Sequence, residues 1–168
     1  VQSDEFGSPK RTPNQSFFAS SGGQTHDATH VKVFALRGNS NMLCPGAKLW
    51  YFYPHAYSSV CTEEFCGLRD DWSAWSELKA SVVGISVNTP FVVAHWKQEL
   101  GLPFELLSDF NKDSSAAYDA IYDEFFGLKG VAKRSAYVIG TDGTIAYAWQ
   151  TEDAGVQPDM DAIKAALA

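Results

Sequence analysis

The sequence predicts an α/β fold in which a central mixed β-sheet is flanked by helices. Short apolar runs with the length of buried strands alternate with segments whose apolar residues recur at helical spacing. Asp142 and Gly143 separate the last two strand-like runs and favour a tight turn, so these two strands are expected to be antiparallel. The 168 residues, 45% of them hydrophobic, suit one domain with a single core.

An N-terminal β-hairpin is the first predicted element. Residues 1–15 are polar, contain two prolines and lack periodicity, so we expect a flexible tail before a single domain over residues 16–168. Residues 17–19 and 31–36 read as the two strands of the hairpin. A buried strand follows over residues 49–53, and Pro54 ends it because proline cannot donate to a sheet ladder.

The rest of the chain alternates helices and strands. Strands are expected over residues 82–87, 104–107, 136–139 and 145–149. Beyond the helix that follows Pro54, three helices are predicted from start signals at Thr89 with Pro90, at Asp113 and at Pro158. Their predicted inward faces are Val92 or Val93, Trp96 and Leu100; Tyr118, Ile121, Tyr122 and Phe125; and Met160, Ile163 and Leu167.

Cys61 lies at the predicted start of the helix that follows Pro54. Ser58 or Ser59 is a suitable N-cap, and the helix is expected to begin at about Cys61. Its core-facing stripe recurs in steps of four and three and consists of Cys61, Phe65, Leu68, Trp72 and Trp75. Amides at a helix N-terminus favour a thiolate, so this position predicts a reactive cysteine; the alternative is a small buried apolar residue.

Cys66 lies on the polar flank of the same helix, together with Thr62, Arg69 and Ser73. Two helical residues five apart have Cα atoms about 8.6 Å from each other. A disulfide requires less than about 7 Å. A bond between Cys61 and Cys66 would therefore require the first helical turn to unwind.

Pro54, Ser58 and Cys61 reproduce the spacing of a known motif, namely Pro, three residues, Thr or Ser, two residues, Cys. On this motif the chain resembles the peroxiredoxins. The five-residue offset to Cys66, with the segments CGLRD and LPFELLSD, is similar to the bacterioferritin-comigratory-protein or peroxiredoxin Q branch. The resemblance covers residues 17–167, is strongest over 48–149, and implies a thioredoxin-like fold.

The resemblance also implies roles for individual residues. Cys61 would attack the peroxide O–O bond as a thiolate and become a sulfenic acid. Ser58 and backbone amides would hold the peroxide oxygens, and Arg134 would favour the thiolate and stabilise charge as the bond breaks. Pro54 would shape the loop and shield the site, and Glu64 matches the family's acidic residue after the cysteine. Without the resemblance, Ser58 reads as an N-cap only and Arg134 as a surface salt-bridge partner.

For Cys66 the resemblance implies capture of the Cys61 sulfenic acid as a disulfide, which thioredoxin or a similar dithiol then reduces. Two alternatives remain open: a one-cysteine peroxidase that uses an external thiol, and a non-enzymatic redox sensor or binding protein. A dithiol exchanger usually carries Cys-x-x-Cys, which the sequence lacks. Cys44 is interpreted as an incidental thiol. The alternative is that a mobile loop allows Cys44 to take part in the reaction.

Composition and missing motifs exclude other classes of function. The net charge of -7 argues against a nucleic-acid partner, and no apolar run reaches the roughly 20 residues of a membrane span. No Gly-rich nucleotide loop occurs, and His26 with His30 makes a weak metal pair, so no cofactor and no metal are expected. His55 beside Pro54 reads as a loop residue rather than the base of a Cys-His pair. Three cysteines fit a reducing compartment, so a cytoplasmic location is expected. The protein is expected to be a monomer or a homodimer.

Overall fold

The computed structural model describes residues 46–168. The expected tail over residues 1–15, the domain boundary after it, the N-terminal hairpin and Cys44 lie outside the described residues. Those expectations stay predictions.

A five-stranded mixed sheet forms the centre of the described region, in the order β3-β2-β1-β4-β5. The strands are β1 Lys48–Phe52, β2 Ser81–Ser86, β3 Glu105–Ser108, β4 Ser135–Ile139 and β5 Ile145–Gln150. β1, β2 and β3 are mutually parallel, while β4 is antiparallel to both β1 and β5. The predicted mixed sheet and the antiparallel final pair are confirmed.

Within residues 46–168, five helices accompany the sheet: α1 Ser59–Asp70, α2 Trp72–Glu77, α3 Pro90–Leu100, α4 Asp113–Ala117 and α5 Met160–Leu167. The predicted cap of α3 is confirmed, because the Thr89 side chain accepts a hydrogen bond from the Val92 amide and Pro90 occupies the first turn. Asp159 caps α5 in the same way. Among residues 46–168, no helix has the length and apolar character to cross a membrane.

Side-chain alternation along β1 divides the core between the two faces of the sheet. Leu49, Tyr51 and Tyr53 are buried on the face covered by α1 and α3, whereas Trp50 and Phe52 are buried on the other face. Helix α1 packs very closely at Gly84 of β2, where an added Cβ would lie 2.6 Å from the Phe65 ring. This close approach brings the first turns of α1 against the sheet and positions the site described below.

Two expected helices differ from the structure. The stripe from Tyr118 to Phe125 is not helical, because α4 ends at Ala117 and Asp119 adopts a left-handed backbone with φ of 51°. The helix after Pro54 begins at Ser59 rather than Cys61, and it is interrupted at Asp71 before α2. Cys61, Phe65, Leu68 and Trp75 are buried as predicted, and Trp72 is half-buried.

Candidate active site

Cys61 is fully buried in the first turn of α1. Strand β1 ends at Phe52, Pro54 follows in a buried position, and the loop through Ser58 leads directly into the helix. The Sγ atom of Cys61 accepts a hydrogen bond of 3.3 Å from Nη2 of Arg134. The predicted placement of this cysteine at a helix N-terminus is therefore confirmed, and the structure adds a cation that faces it.

Ser58 occupies the N-cap position of α1 with an extended backbone. Its carbonyl accepts the Thr62 amide at 2.9 Å, but its hydroxyl donates to the His55 carbonyl at 3.0 Å and does not cap the helix. The side-chain N-cap reading is therefore wrong for this hydroxyl. The Ser58 hydroxyl instead forms a hydrogen bond within the loop that precedes Cys61.

Arg134 immediately precedes β4, and its side chain is only 1% exposed. The antiparallel register pairs Ser135 with Phe52, so Arg134 lies beside the end of β1, where the cysteine loop begins. Its Nε donates to the Ala154 carbonyl at 2.9 Å, Nη1 donates to Glu64 and Nη2 donates to Cys61. A surface salt-bridge role is excluded by this burial, and three fixed partners orient the guanidinium.

Glu64 is buried beside Arg134, where it also accepts a hydrogen bond from the Tyr51 hydroxyl. Burial raises the pKa of Glu64 to about 7, and the Arg134 charge and the two hydrogen bonds oppose this rise. Burial also raises the pKa of Tyr51, and the nearby charge of Glu64 raises it further. Tyr51 therefore acts as a neutral hydroxyl donor to the carboxylate.

Sequence reasoning did not identify Tyr51 as part of the site or predict the burial of Glu64. A signal for the carboxylate was present, because Glu64 follows Cys61 by three residues and precedes Leu68 by four. It therefore shares the core-facing stripe of α1, and a carboxylate on a buried stripe requires a charged or hydrogen-bonding partner. No comparable local signal marks Tyr51.

The loop before Cys61 is tied to the sheet by Asn88. The Asn88 Oδ1 atom accepts the Ala56 amide at 2.9 Å and the Ser86 hydroxyl at 3.1 Å. Its amide nitrogen lies 3.4 Å from Nδ1 of His55, and burial lowers the pKa of that imidazole. The His55 ring thus faces Asn88, in agreement with its expected role as a loop residue.

Cys66 is half-buried on α1, five residues after Cys61, and both thiols are free. Helix α1 is continuous from Ser59 to Asp70, so the two cysteines lie in an intact helix. The site thus combines a buried thiol at a helix N-terminus, a guanidinium directed at its sulfur, and a second thiol on a less buried side of the helix. This arrangement suits thiolate chemistry followed by thiol–disulfide exchange.

Comparison with known proteins agrees with this chemistry. The profile of the AhpC/TSA family matches residues 24–148. A protein named putative peroxiredoxin bcp from Coxiella burnetii is 37% identical over 102 residues, covering 59% of this chain and 67% of that protein. Peroxiredoxin Bcp from Bacillus subtilis is 29% identical over 106 residues, covering 60% and 65%. The chain spans about half to two thirds of the length of the curated relatives it matches.

Solved structures share the fold. The crystal structure of peroxidoxin BcpB from Mycobacterium tuberculosis has a TM-score of 0.64 and 28% identity, covering 74% of this chain and 80% of that one. The bacterioferritin comigratory protein of Xanthomonas campestris has a TM-score of 0.69 and 20% identity, covering 83% and 90%. The thioredoxin-like fold is confirmed for the described residues. The chain therefore belongs to the AhpC/TSA family, and its resemblance to the Bcp or peroxiredoxin Q type of peroxiredoxin is confirmed.

Proposed function

We propose that this protein is a thiol-dependent peroxidase that reduces hydrogen peroxide and organic hydroperoxides through Cys61. The observation that carries the proposal is the hydrogen bond from the buried Arg134 guanidinium to the Cys61 sulfur at the start of α1. A cation and the amides of a helix N-terminus both favour the thiolate, which is the reactive form. Family membership supports the same activity.

In the proposed first step, the Cys61 thiolate attacks one oxygen of the peroxide. The new S–O bond forms as the O–O bond breaks, the sulfur is oxidised to sulfenic acid, and the departing oxygen takes a proton to leave as water or alcohol. Arg134 stabilises the charge that develops on the oxygens, and the Ser58 hydroxyl with nearby amides holds the peroxide. Pro54 shields the sulfur, and Glu64 fixes the orientation of Arg134.

In the proposed second step, Cys66 resolves the sulfenic acid by forming a disulfide with Cys61. The two residues begin in one intact helix, so the first turns of α1 must unwind before the sulfur atoms can meet. Gly67 next to Cys66 has a low helix propensity and supports such a transition. Thioredoxin or a similar dithiol then reduces the disulfide and restores both thiols.

We also propose a compartment, partners and an oligomeric state for the enzyme. Both described cysteines are free, which fits a reducing compartment, and we place the enzyme in the cytoplasm. The proposed partners are peroxide substrates and a dithiol reductant, with no nucleic acid and no membrane. Residues 16–168 form the single proposed domain, which acts as a monomer or homodimer.

Steady-state peroxide consumption with a thioredoxin system tests the proposal. Cys61→Ser should abolish turnover, Cys66→Ser should abolish turnover with thioredoxin but still permit Cys61 oxidation, and Cys44→Ser is the matched control. Turnover of Cys66→Ser with a monothiol at the wild-type rate would favour the one-cysteine peroxidase. A wild-type protein that is oxidised once and does not turn over would favour the redox sensor.

A further inference from the structure

Tyr57 lies in the loop that leads to Cys61, and its side chain leaves this loop to contact α3. Its hydroxyl is 2.7 Å from Nδ1 of His95, with which it forms a hydrogen bond. Its ring lies against that of Trp96, and the two ring centroids are 6.1 Å apart. On the next turn of α3, Oε2 of Glu99 lies 3.7 Å from the same Nδ1 atom. The loop is thus tied to α3 by a side chain that the mechanism at Cys61 does not use.

The backbone of Tyr57 is left-handed, with φ of 67°. An L-residue with a Cβ atom adopts this conformation at a cost in free energy, and bulky residues rarely do so. Tyr57 is also 51% exposed, so burial alone does not hold it in place. The contacts with α3 therefore offset a strained backbone, and the folded form of the loop depends on them.

The loop and the first turn of α1 form one hydrogen-bonded unit. The Ser58 carbonyl accepts both the amide and the hydroxyl of Thr62, at 2.9 and 2.8 Å. The Ser58 hydroxyl donates to the His55 carbonyl at 3.0 Å, and Tyr57 lies between these two residues in the chain. Unwinding of the first turn breaks the bonds to Thr62 and so releases the backbone that orients Tyr57. Because such coupling is reciprocal, loss of the tie to α3 favours unwinding.

The other end of α1 has its own anchors. Nη1 of Arg69 donates to the carbonyl of Leu100, the last residue of α3, at 2.8 Å. Asp71, directly after α1, forms an ion pair with Lys164 of α5. These contacts involve neither the loop nor the first turn. The C-terminal half of α1 can therefore stay in place while its first turn unwinds.

We propose that Tyr57 and His95 are positioning residues that hold the loop and the first turn of α1 folded. Their hydrogen bond opens when Cys61 moves towards Cys66. This inference rests on the proposed function, because it assumes that these two cysteines form a disulfide. The folded form keeps the Cys61 sulfur beside Arg134 for the reaction with peroxide. The unwound form permits the disulfide, in which the S–S bond forms as the S–O bond breaks and one water leaves.

The tie also affects how long the sulfenic acid is exposed to further peroxide. A second peroxide molecule oxidises the sulfenic acid of Cys61 to sulfinic acid, its other oxygen leaves as water, and thiols do not reverse this step. The folded loop keeps the sulfenic acid in the peroxide site, whereas the unwound loop allows it to react with Cys66. Loss of the tie should therefore make the enzyme more resistant to inactivation by excess peroxide.

Rapid-mixing kinetics of the full chain test the inference in Tyr57→Phe, His95→Ala and the control Gln98→Ala, which alters an exposed residue of α3. Quenching and peptide mapping follow sulfenic acid formation and disulfide formation separately. Tyr57→Phe keeps the ring that packs on Trp96 and removes only the hydroxyl. It should leave the first step within about twofold of wild type and speed disulfide formation about threefold, because the folded form loses one hydrogen bond.

His95→Ala should have the same effect as Tyr57→Phe. The double variant should be no faster than either single variant, because both changes remove one bond. Gln98→Ala should match wild type. The peroxide dose that inactivates half of the enzyme during turnover should rise about threefold, in step with the disulfide rate. A merely structural defect would instead slow the first step, which the inference leaves unchanged.

Disulfide formation in Tyr57→Phe at the wild-type rate or more slowly would overturn the inference, as would additive effects in the double variant. A wild-type protein that forms sulfenic acid but no Cys61–Cys66 disulfide would overturn the proposed resolving step, and the inference with it. A wild-type protein that forms no sulfenic acid would overturn the peroxidase function itself.

Discussion

The carboxylate of Glu64 and the guanidinium of Arg134 form an ion pair whose side chains are 0% and 1% exposed. The same guanidinium donates to the sulfur of Cys61. One buried cation therefore faces two groups that can each become negative, and Tyr51 supplies a further hydrogen bond to the carboxylate. The protonation of Glu64 is thus linked both to stability and to the charge that Cys61 experiences.

The pH dependence of stability should change in Glu64→Gln. Burial raises the folded-state pKa of Glu64 from 4.5 to about 7, so the stability that this group contributes is fully present below pH 4.5 and is lost as pH rises through 7. Each pK unit corresponds to about 1.4 kcal/mol. Between about pH 4 and pH 8, the free energy of unfolding of wild type should therefore fall by about 3 kcal/mol more than that of Glu64→Gln.

Urea titrations at a series of pH values measure this difference. The matched control is Glu63→Gln, which alters an exposed carboxylate one residue earlier on the same helix. Parallel stability curves for wild type and Glu64→Gln would show that Glu64 does not titrate in this range.

Tyr51→Phe should destabilise the protein by about 1–3 kcal/mol, because it leaves a buried carboxylate oxygen without its hydroxyl donor. The loss should be larger above pH 7, where Glu64 is ionised, than at pH 5. Thermal unfolding at the two pH values measures it. Tyr147→Phe, on β5 and outside the site, is the matched control, and an equal loss in the two variants would contradict the assigned role of Tyr51.

Gly67→Ala should slow disulfide formation, because it stabilises the folded form of α1. An added Cβ at Gly67 meets nothing within 4 Å, so alanine fits without a clash. Glycine in a helix costs about 1 kcal/mol relative to alanine, which corresponds to a slowing of roughly fivefold. Quenched-flow mapping of the disulfide gives the rate. Ser73→Ala, in α2, is a control that raises helix propensity outside α1, and an unchanged rate in Gly67→Ala would argue against unwinding near Cys66.

Asn88→Ala should lower kcat/KM for peroxide about tenfold, because the loop that leads to Cys61 loses its side-chain acceptor. Asn88→Asp keeps an oxygen in the same place and should retain most of the activity. The fold is checked for both variants by circular dichroism. If the alanine variant were as active as wild type, the bond to the Ala56 amide would have no role in positioning the loop.

The sequence predicts those parts of the fold and site that depend on local rules. Pro54 ends a strand, Thr89 with Pro90 starts a helix, and Asp142 with Gly143 turns a hairpin, because each acts on its own backbone. Each of these features is present in the structure. The same local rules predict the position of Cys61 in the first turn of a helix.

Contacts between distant residues could not be predicted in this way. Arg134 is 70 residues from Glu64 and 73 from Cys61, and only the pairing of β1 with β4 brings them together. The helix predicted after Asp113 ends at Ala117, before the expected apolar stripe, for a related reason. Tyr118 packs its ring against Trp50 and Phe52, and the chain turns at Asp119 instead of continuing the helix.

The joint action of Cys61 and Cys66 is tested most directly by the intact mass of fully reduced protein, with peptide mapping, after one equivalent of hydrogen peroxide. We expect a rapid loss of two hydrogens and a link between Cys61 and Cys66. Oxygen addition that stays on Cys61 would contradict the resolving role of Cys66. A mass that does not change within minutes would contradict the peroxidase activity itself.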